Sequence, residues 1–481
     1  MKKALALALV LGVGAAVAAQ PAADPMLATI RAEGLQHSQA APVFEMLTVD
    51  IGPRLTNSPA FRRAVAFVRD RLASYGLANV HEEPWHFGRG WTLEKLTVEM
   101  VEPRYMPLIG YAEAWSPSTS GDIVAAPVFV GDKTPEAVSA MRDQLQGAIV
   151  MTQPLMTRFV RRDRPQPTDP DAAPSEPNAS AGSRPPAAAQ KIAQAVREAG
   201  AAVQLRPSIG EHGTVFVTGR DGGPGAVPSV VLSAEHYNMI VRMLERHVPV
   251  KLRIGVQTRY YDQQDAANVI AEIPGVDPAL RDEVVMFGAH LDSWHTGVGA
   301  TDNADGATTV IEAMRILKAA GVRPRRTIRV ALWGGEEQGL LGSRAWVAQH
   351  LAGDANRAAR QQFDVYFNID NGYGPIYGFY CENNAAVKPL FDTWLAPFTD
   401  IGARKNVIEG IGATDHVTFD RAGVPAFNPI QSYRNYDVRT HHTNMDTVDR
   451  VNEDDLRQAA VVMASFVYHA AMADARIPRR P

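Results

Sequence analysis

The sequence predicts an α/β protein built on a sheet with buried parallel strands, and three observations carry that expectation. Three short apolar runs, 284–288, 328–333 and 365–369, are rich in Val, Ile, Leu and Phe and are bounded by Gly or polar residues. Such runs mark strands buried on both faces. After the first run comes a helical pattern in which Ala307, Val310, Ile311, Met314 and Leu317 recur with a period near 3.6, and Gly321 follows its end. Each run also leads into residues that bind metals: His290 and Asp292, then Glu336 and Glu337, then Asp370. In open α/β sheets the ligand site forms at the carboxyl ends of the strands, so these donors should converge along one edge.

The donors have an internal logic. His290 and Asp292 lie two apart and face the same side of extended backbone. A ligating His usually donates its other ring N–H to a carboxylate, so His290 is read as a ligand and Asp292 as the group that orients it. Asp302 stands in GATDNADG, 299–306, just before the helix. A carboxylate there can bridge two divalent cations, and the glycines allow close backbone approach. Glu336 and Glu337 are adjacent and point apart at a strand end, so one can hold a metal while the other reaches a water. A further donor lies far downstream in THHTNMDT, 440–447. His295 and Asp305 match no ligand position.

The pieces AHLDS, GATDNADG, WGGEEQGLLGS, NID and HHTNMDT, in this order and spacing, resemble the M28 zinc aminopeptidases. The resemblance covers roughly 266–472 and extends to IGPRLTNSPAFRRAVAFVRDRL at 51–72. Within the family the arrangement is most similar to the plasma glutamate carboxypeptidase-like branch, which carries an inserted protease-associated domain. The resemblance implies a three-layer zinc-exopeptidase fold, with a mixed central β-sheet flanked by helices and a mainly-β insertion. It also implies two zinc ions. His290 and Glu337 match ligands of separate ions, as do Asp370 and His442, and Asp302 matches the bridge. The HTxxDT pattern selects His442 over His441. Glu336 matches the general base that activates a water between the metals; Asp292, read above as the group that orients His290, is counted with it as a catalytic residue. Asp415 and His416, in GATDHVTF at 412–419, match a segment that lines the substrate pocket. Cobalt or manganese would substitute, because such donors discriminate weakly. The implied activity removes residues from the free amino end of short peptides or splits dipeptides. A carboxypeptidase of the same fold, a single-zinc glutaminyl cyclase-like enzyme and a catalytically silent binding relative stay open.

Composition bounds the rest. A chain of 481 residues exceeds one ordinary core, so two or three units are expected. Hydrophobic content of 46% and charged content of 21% are ordinary for a globular protein. A net charge of −4 gives no basic footprint for nucleic acid or anionic membrane. A single cysteine, Cys381, excludes an internal disulfide and Cys-rich zinc sites. The basic start, the apolar run 4–17 and the small residues at 17–19 read as a signal peptide over 1–19. Export to the periplasm or outside the cell follows, with no membrane anchor after processing. Residues 20–117 read as the first part of the catalytic domain, with a helix at 60–72 and strands at 80–85 and 96–100 joining the later sheet. Residues 118–255 read as the protease-associated insertion flanking the active site, with strands at 128–130, 148–151, 214–217 and 230–232. Its stretch 161–186 holds seven prolines from Pro165 onward and reads as an exposed, mobile loop. His212, His236 and His247 lack partner spacing and receive no metal. Residues 256–475 complete the catalytic domain, closing with a helix at 452–471 and a loose tail. A peptide is the expected partner, and a homodimer stays open.

Overall fold

The computed structural model describes residues 24–169 and 187–480. The signal-peptide reading and the greater part of the proline-rich stretch lie outside them. The central sheet has six strands in the order Ala78–His86, Asp265–Ile273, Thr327–Trp333, Val284–His290, Phe363–Asn368 and Ala426–Phe427. The first two pairings are antiparallel and the remaining three parallel, so the sheet is mixed.

Alternation along the strands explains the layers. Val285, Phe287 and Ala289 join one buried cluster, together with Val310, Met314 and Leu317 of helix Asp305–Ala319 and with Val462 and Phe466 of helix Glu453–Met472. Met286, on the same strand, joins another with Trp333, Trp346, Tyr366 and Phe419. Successive side chains point to opposite faces, so one continuous apolar run covers two cores. Each such buried side chain stabilises the fold by about 1.5–3 kcal/mol. Helix Pro59–Ser74 starts where Ser58 Oγ accepts from Phe61 N, 3.2 Å, with Pro59 in the first turn. The closing helix is capped in the same way, Asn452 Oδ1 accepting from Asp455 N at 3.0 Å.

Strand Gly90–Glu102 does not join the central sheet as expected. It pairs with Lys251–Tyr261 in a separate four-stranded sheet. Alternation identifies a strand but not its partner, which register and long-range packing decide. A five-stranded sheet follows the order Gly110–Ala112, Ser229–Leu232, Val203–Pro207, Ile149–Met151, Val128–Phe129. Four of its strands are mutually parallel; helix Ala187–Glu198 lies between two of them in the chain and helix Ala234–Glu245 follows the last, so this region is richer in helix than its short apolar runs suggest. The expected strand at 214–217 forms one bridge, Phe216 to Thr443.

Two segments read as loose are tied down. Asp163, Arg164 and Gln166 hydrogen-bond to residues 431–438. In the tail, Ile477 is buried, its N donates to Asp364 Oδ1 at 2.8 Å, and Arg479 donates to Phe363 O at 2.7 Å. Both attachments are polar contacts to distant chain, which local pattern does not reveal. Among the described residues no helix is long and apolar enough to cross a membrane.

Candidate metal centre

Three parallel strands deliver their carboxyl ends to one edge of the sheet. His290 ends Val284–His290 and lies beside Trp333 of the neighbouring strand. Glu336 and Glu337 follow Trp333 after Gly334 and Gly335, the latter at φ 69°, a turn that favours glycine. Asp370 follows Phe363–Asn368. Asp302 sits in an irregular turn, φ −132° and ψ 85°, entered through Gly299 at φ 60° and leading into helix Asp305–Ala319. The Asp302–Asn303 peptide bond is cis. His442 arrives from the loop after Tyr436–Thr440.

The donors form two groups that share one residue. His290 Nε2 lies 3.2 Å from Asp302 Oδ1 and 3.6 Å from Asp370 Oδ1. His442 Nε2 lies 3.4 Å from Asp302 Oδ2 and 2.9 Å from Glu337 Oε2. The two oxygens of Asp302 therefore face opposite groups. Glu336 Oε2 stands 4.0 Å from His290 Nε2. Ligating atoms of His290, Asp302 and Asp370 lie within 4.8 Å of one another, as do those of Asp302, His441 and His442. His441 stacks on the Tyr436 ring at 5.0 Å, whereas His442 makes the contact to Glu337.

This donor set fits divalent cations. His290 Nε2, Asp302 Oδ2 and both Glu337 carboxylate oxygens are buried, and apart from their contacts with one another and with His442 nothing hydrogen-bonds to them. Orphaned buried polar atoms cost roughly 1–3 kcal/mol each, more when charged, so four aimed at one small space call for a ligand. Burial, reinforced by Asp302, pushes Glu337 up to about 7. Burial likewise raises Glu336, with Asp370 and Asp415 adding to it. Burial opposes a charge on His290, but Asp370 and Glu336 outweigh it and raise its pKa well above the usual imidazole range.

Supporting contacts hold the cage. His290 Nδ1 lies 3.0 Å from the Asp292 carbonyl oxygen and 3.6 Å from the Asp292 carboxylate, so the main chain is its nearer partner. The Asp292 carboxylate instead accepts from Glu336 N at 3.2 Å, Glu337 N at 3.3 Å and Thr56 Oγ1 at 2.8 Å. That differs from the expected His–carboxylate pair and makes Asp292 the anchor of the Glu336–Glu337 turn. Buried Asp446 accepts from Thr301 N, Thr301 Oγ1 and Asp302 N at 2.8, 2.9 and 3.1 Å, and so orients the shared carboxylate. Arg54 is fully buried and donates five bonds of 2.8–3.0 Å to the carbonyls of Leu47, Gly52, Leu291, Val298 and Gly299. Its guanidinium thus laces the loops that follow His290 and precede Asp302. Neither Asp446 nor Arg54 was assigned from sequence, though both stand inside motifs quoted above. Their types give no hint that carbonyls and backbone amides are their partners.

Asp415 and His416 are brought near the cage but do not line it. Both are buried; Asp415 accepts from Ser343 Oγ at 2.5 Å, and His416 Nε2 lies 3.0 Å from Ile411 O. The cleft is lined by Trp294, Asp302, Glu337, His442, Thr443 and Asp446, with Gly297 and Gly299.

A mixed sheet between helices, with His and carboxylates converging at parallel strand ends, defines a metal-dependent α/β hydrolase. Residues 268–467 match the Peptidase family M28 model, and the chain carries a peptidase domain of that zinc metallopeptidase family. It is similar to "Carboxypeptidase Q" of Homo sapiens, 24% identical over 434 residues that span 90% of this chain and 85% of that protein. The Bos taurus protein of the same name is 27% identical over 438 residues, with the same coverage. Among solved structures, a peptidase M28 precursor from Shewanella amazonensis aligns with TM-score 0.72 and 26% identity, covering 95% of this chain and 98% of that one. BSAP, a zinc aminopeptidase from Bacillus subtilis, shares the fold at TM-score 0.59 and 19% identity, covering 90% of this chain and 94% of that one.

Proposed function

We propose that this chain is an exported exopeptidase that acts on short peptides with two zinc ions, one held by His290, Asp302 and Asp370, the other by His442, Asp302 and Glu337. The observation that carries the reading is the placement of Asp302, whose two oxygens face the two donor groups separately. The bound ions supply polarisation of the scissile carbonyl and a lowered pKa for water. The chain's own residues do the rest. Glu336, at the rim of the cage, takes the proton of the attacking water and returns it to the leaving amine. Asp292, gripping the amides of residues 336 and 337, holds that carboxylate in place. Action at the free amino terminus rests on the likeness of the motifs to those of the M28 zinc aminopeptidases. A carboxypeptidase is the second reading, favoured by relatives of that name that align along 90% of the chain. Export rests on the apolar start of the sequence.

One experiment separates these readings. Purified protein is assayed on a panel of free, N-blocked and C-amidated peptides with its zinc content measured alongside. The first reading expects cleavage abolished by N-blocking and indifferent to amidation; the opposite pattern selects the carboxypeptidase. Glu336→Gln should retain zinc and lower turnover by about 10²–10⁴; near-normal activity in that variant would refute the assigned base.

A further inference from the structure

The loop that carries His442 is gripped from both sides by the insertion. On one side Val217 N donates to His442 O at 3.0 Å, Asn444 N to Val215 O at 3.3 Å, and Val215 N to Asn444 Oδ1 at 2.7 Å. His442 itself has φ 61°, a left-handed backbone that a non-glycine residue keeps only when its surroundings impose it. On the other side Asp163 accepts from Asn435 N and Val438 N at 2.7 and 3.1 Å. Beside it, Arg164 does something the other contacts do not. Its main-chain N and its guanidinium bond to the Asp437 carboxylate at 2.6–3.1 Å, while Nη1 donates to Asn371 Oδ1 at 3.2 Å. The same guanidinium lies over the rings of Tyr433 and Tyr436, with centroids at 5.1 and 5.7 Å.

Asn371 and Asp437 belong to opposite halves of the cage. Asn371 is the residue after Asp370, and its N donates to Asp370 Oδ1 at 2.5 Å. Asp437 lies on the turn that leads into His441 and His442. We propose that Arg164, supplied by the insertion, is a positioning residue that sets the spacing between the two metal half-sites. The proposal rests on the dinuclear reading above. A planar fork is suited to this task, because it holds a carboxylate bidentately with one edge and leaves another N–H for a second element. Residues that support a metal ligand from behind typically change metal affinity 10–100-fold when removed.

The test uses the full chain, stripped of metal and titrated with cobalt(II). Wild type should take up two ions whose paramagnetic resonance shows magnetic coupling. Arg164→Ala should bind the second ion at least tenfold more weakly, with coupling reduced or lost. Arg164→Lys, which keeps charge but not the fork, should recover only part of the affinity. Asp437→Asn gives an independent route to the same loss, and the double variant Arg164→Ala/Asp437→Asn should lose no more than either alone. Gln166→Ala breaks the neighbouring grip on residues 431 and 433 and should leave coupling intact. Unchanged affinity and coupling in Arg164→Ala, or an equal loss in Gln166→Ala, would overturn the role assigned to Arg164 while leaving the dinuclear site standing. A wild-type protein that binds fewer than two ions would overturn both.

Discussion

Replacing Arg54 by methionine sets two large effects against each other. The side chain is fully buried, and methionine keeps most of its volume, so little of the outcome comes from a cavity. Five hydrogen bonds from a charged donor are lost, each worth about 1.5–3 kcal/mol. Among the described residues no other donor reaches the carbonyls of Leu291 or Val298, which would be left buried and bare. Against this stands the relief of a buried charge. Burial lowers the Arg54 pKa to about 10 in spite of the Asp446 and Asp292 carboxylates, which corresponds to roughly 3 kcal/mol on the charged form. The bonds should win, for a net loss of at least about 4 kcal/mol, and Arg54→Lys should recover little because it cannot reproduce the fork. Calorimetry of the metal-free protein measures the stability, and competition with a zinc chelator measures the cage. Arg54→Met should weaken zinc as well, since the same bonds hold the loops on either side of His290 and Asp302. A variant within 1 kcal/mol of wild type would refute the reasoning and show that burying the charge costs as much as its bonds return.

Three other outcomes are expected. Asp302→Ala should lose metal from both half-sites, which elemental analysis checks; two retained zinc ions would rule out the shared carboxylate. Stability should fall as the pH drops from 6.5 toward 4, because burial lowers His295 to about 4: Nε2 lies 2.8 Å from Ala112 O, and Nδ1 is buried without a partner. The lowered pKa means that this contribution is complete above 6.5 and lost on acidification, roughly 3 kcal/mol in all, so His295→Gln should flatten the acid limb of a Tm–pH curve. Burial also pushes the Cys381 thiol up to about 12, and the side chain is fully buried. A maleimide at pH 8 should leave the native protein unlabelled and modify one thiol per chain after denaturation; labelling of the native protein would contradict that burial.

The parts of this molecule legible in its sequence are those that local rules govern. Val284–His290, Thr327–Trp333 and Phe363–Asn368 announce themselves as short runs rich in apolar residues, and the helix after Asp302 by its period. His290, Asp302, Glu337, Asp370 and His442 come together in the structure, as expected of donors at the ends of parallel strands and in motifs of known order. The misreadings have one physical source. The strand at 96–100 reads as part of the central sheet yet belongs to Gly90–Glu102 in another, and Asp163, Arg164 and Ile477 lie in stretches that read as loose. In each case the deciding contact lies with residues far away in the chain. The swap of roles at Asp292 has a related cause: a carboxylate two residues from a histidine can turn to backbone amides of another strand, and spacing alone does not tell which it prefers. Asp415 and His416 show the same limit, since a motif marks a segment as near the pocket without saying which side chains face it.

The bond from Val217 to the carbonyl of His442 has a consequence for a shortened chain. On the dinuclear reading, His290, Asp302, Glu337 and Asp370 all precede residue 371, whereas the imidazole of His442 comes from a downstream loop that is held by residues 215 and 217. A chain truncated before that loop would keep the donors of the His290 half-site and lack the imidazole of the other.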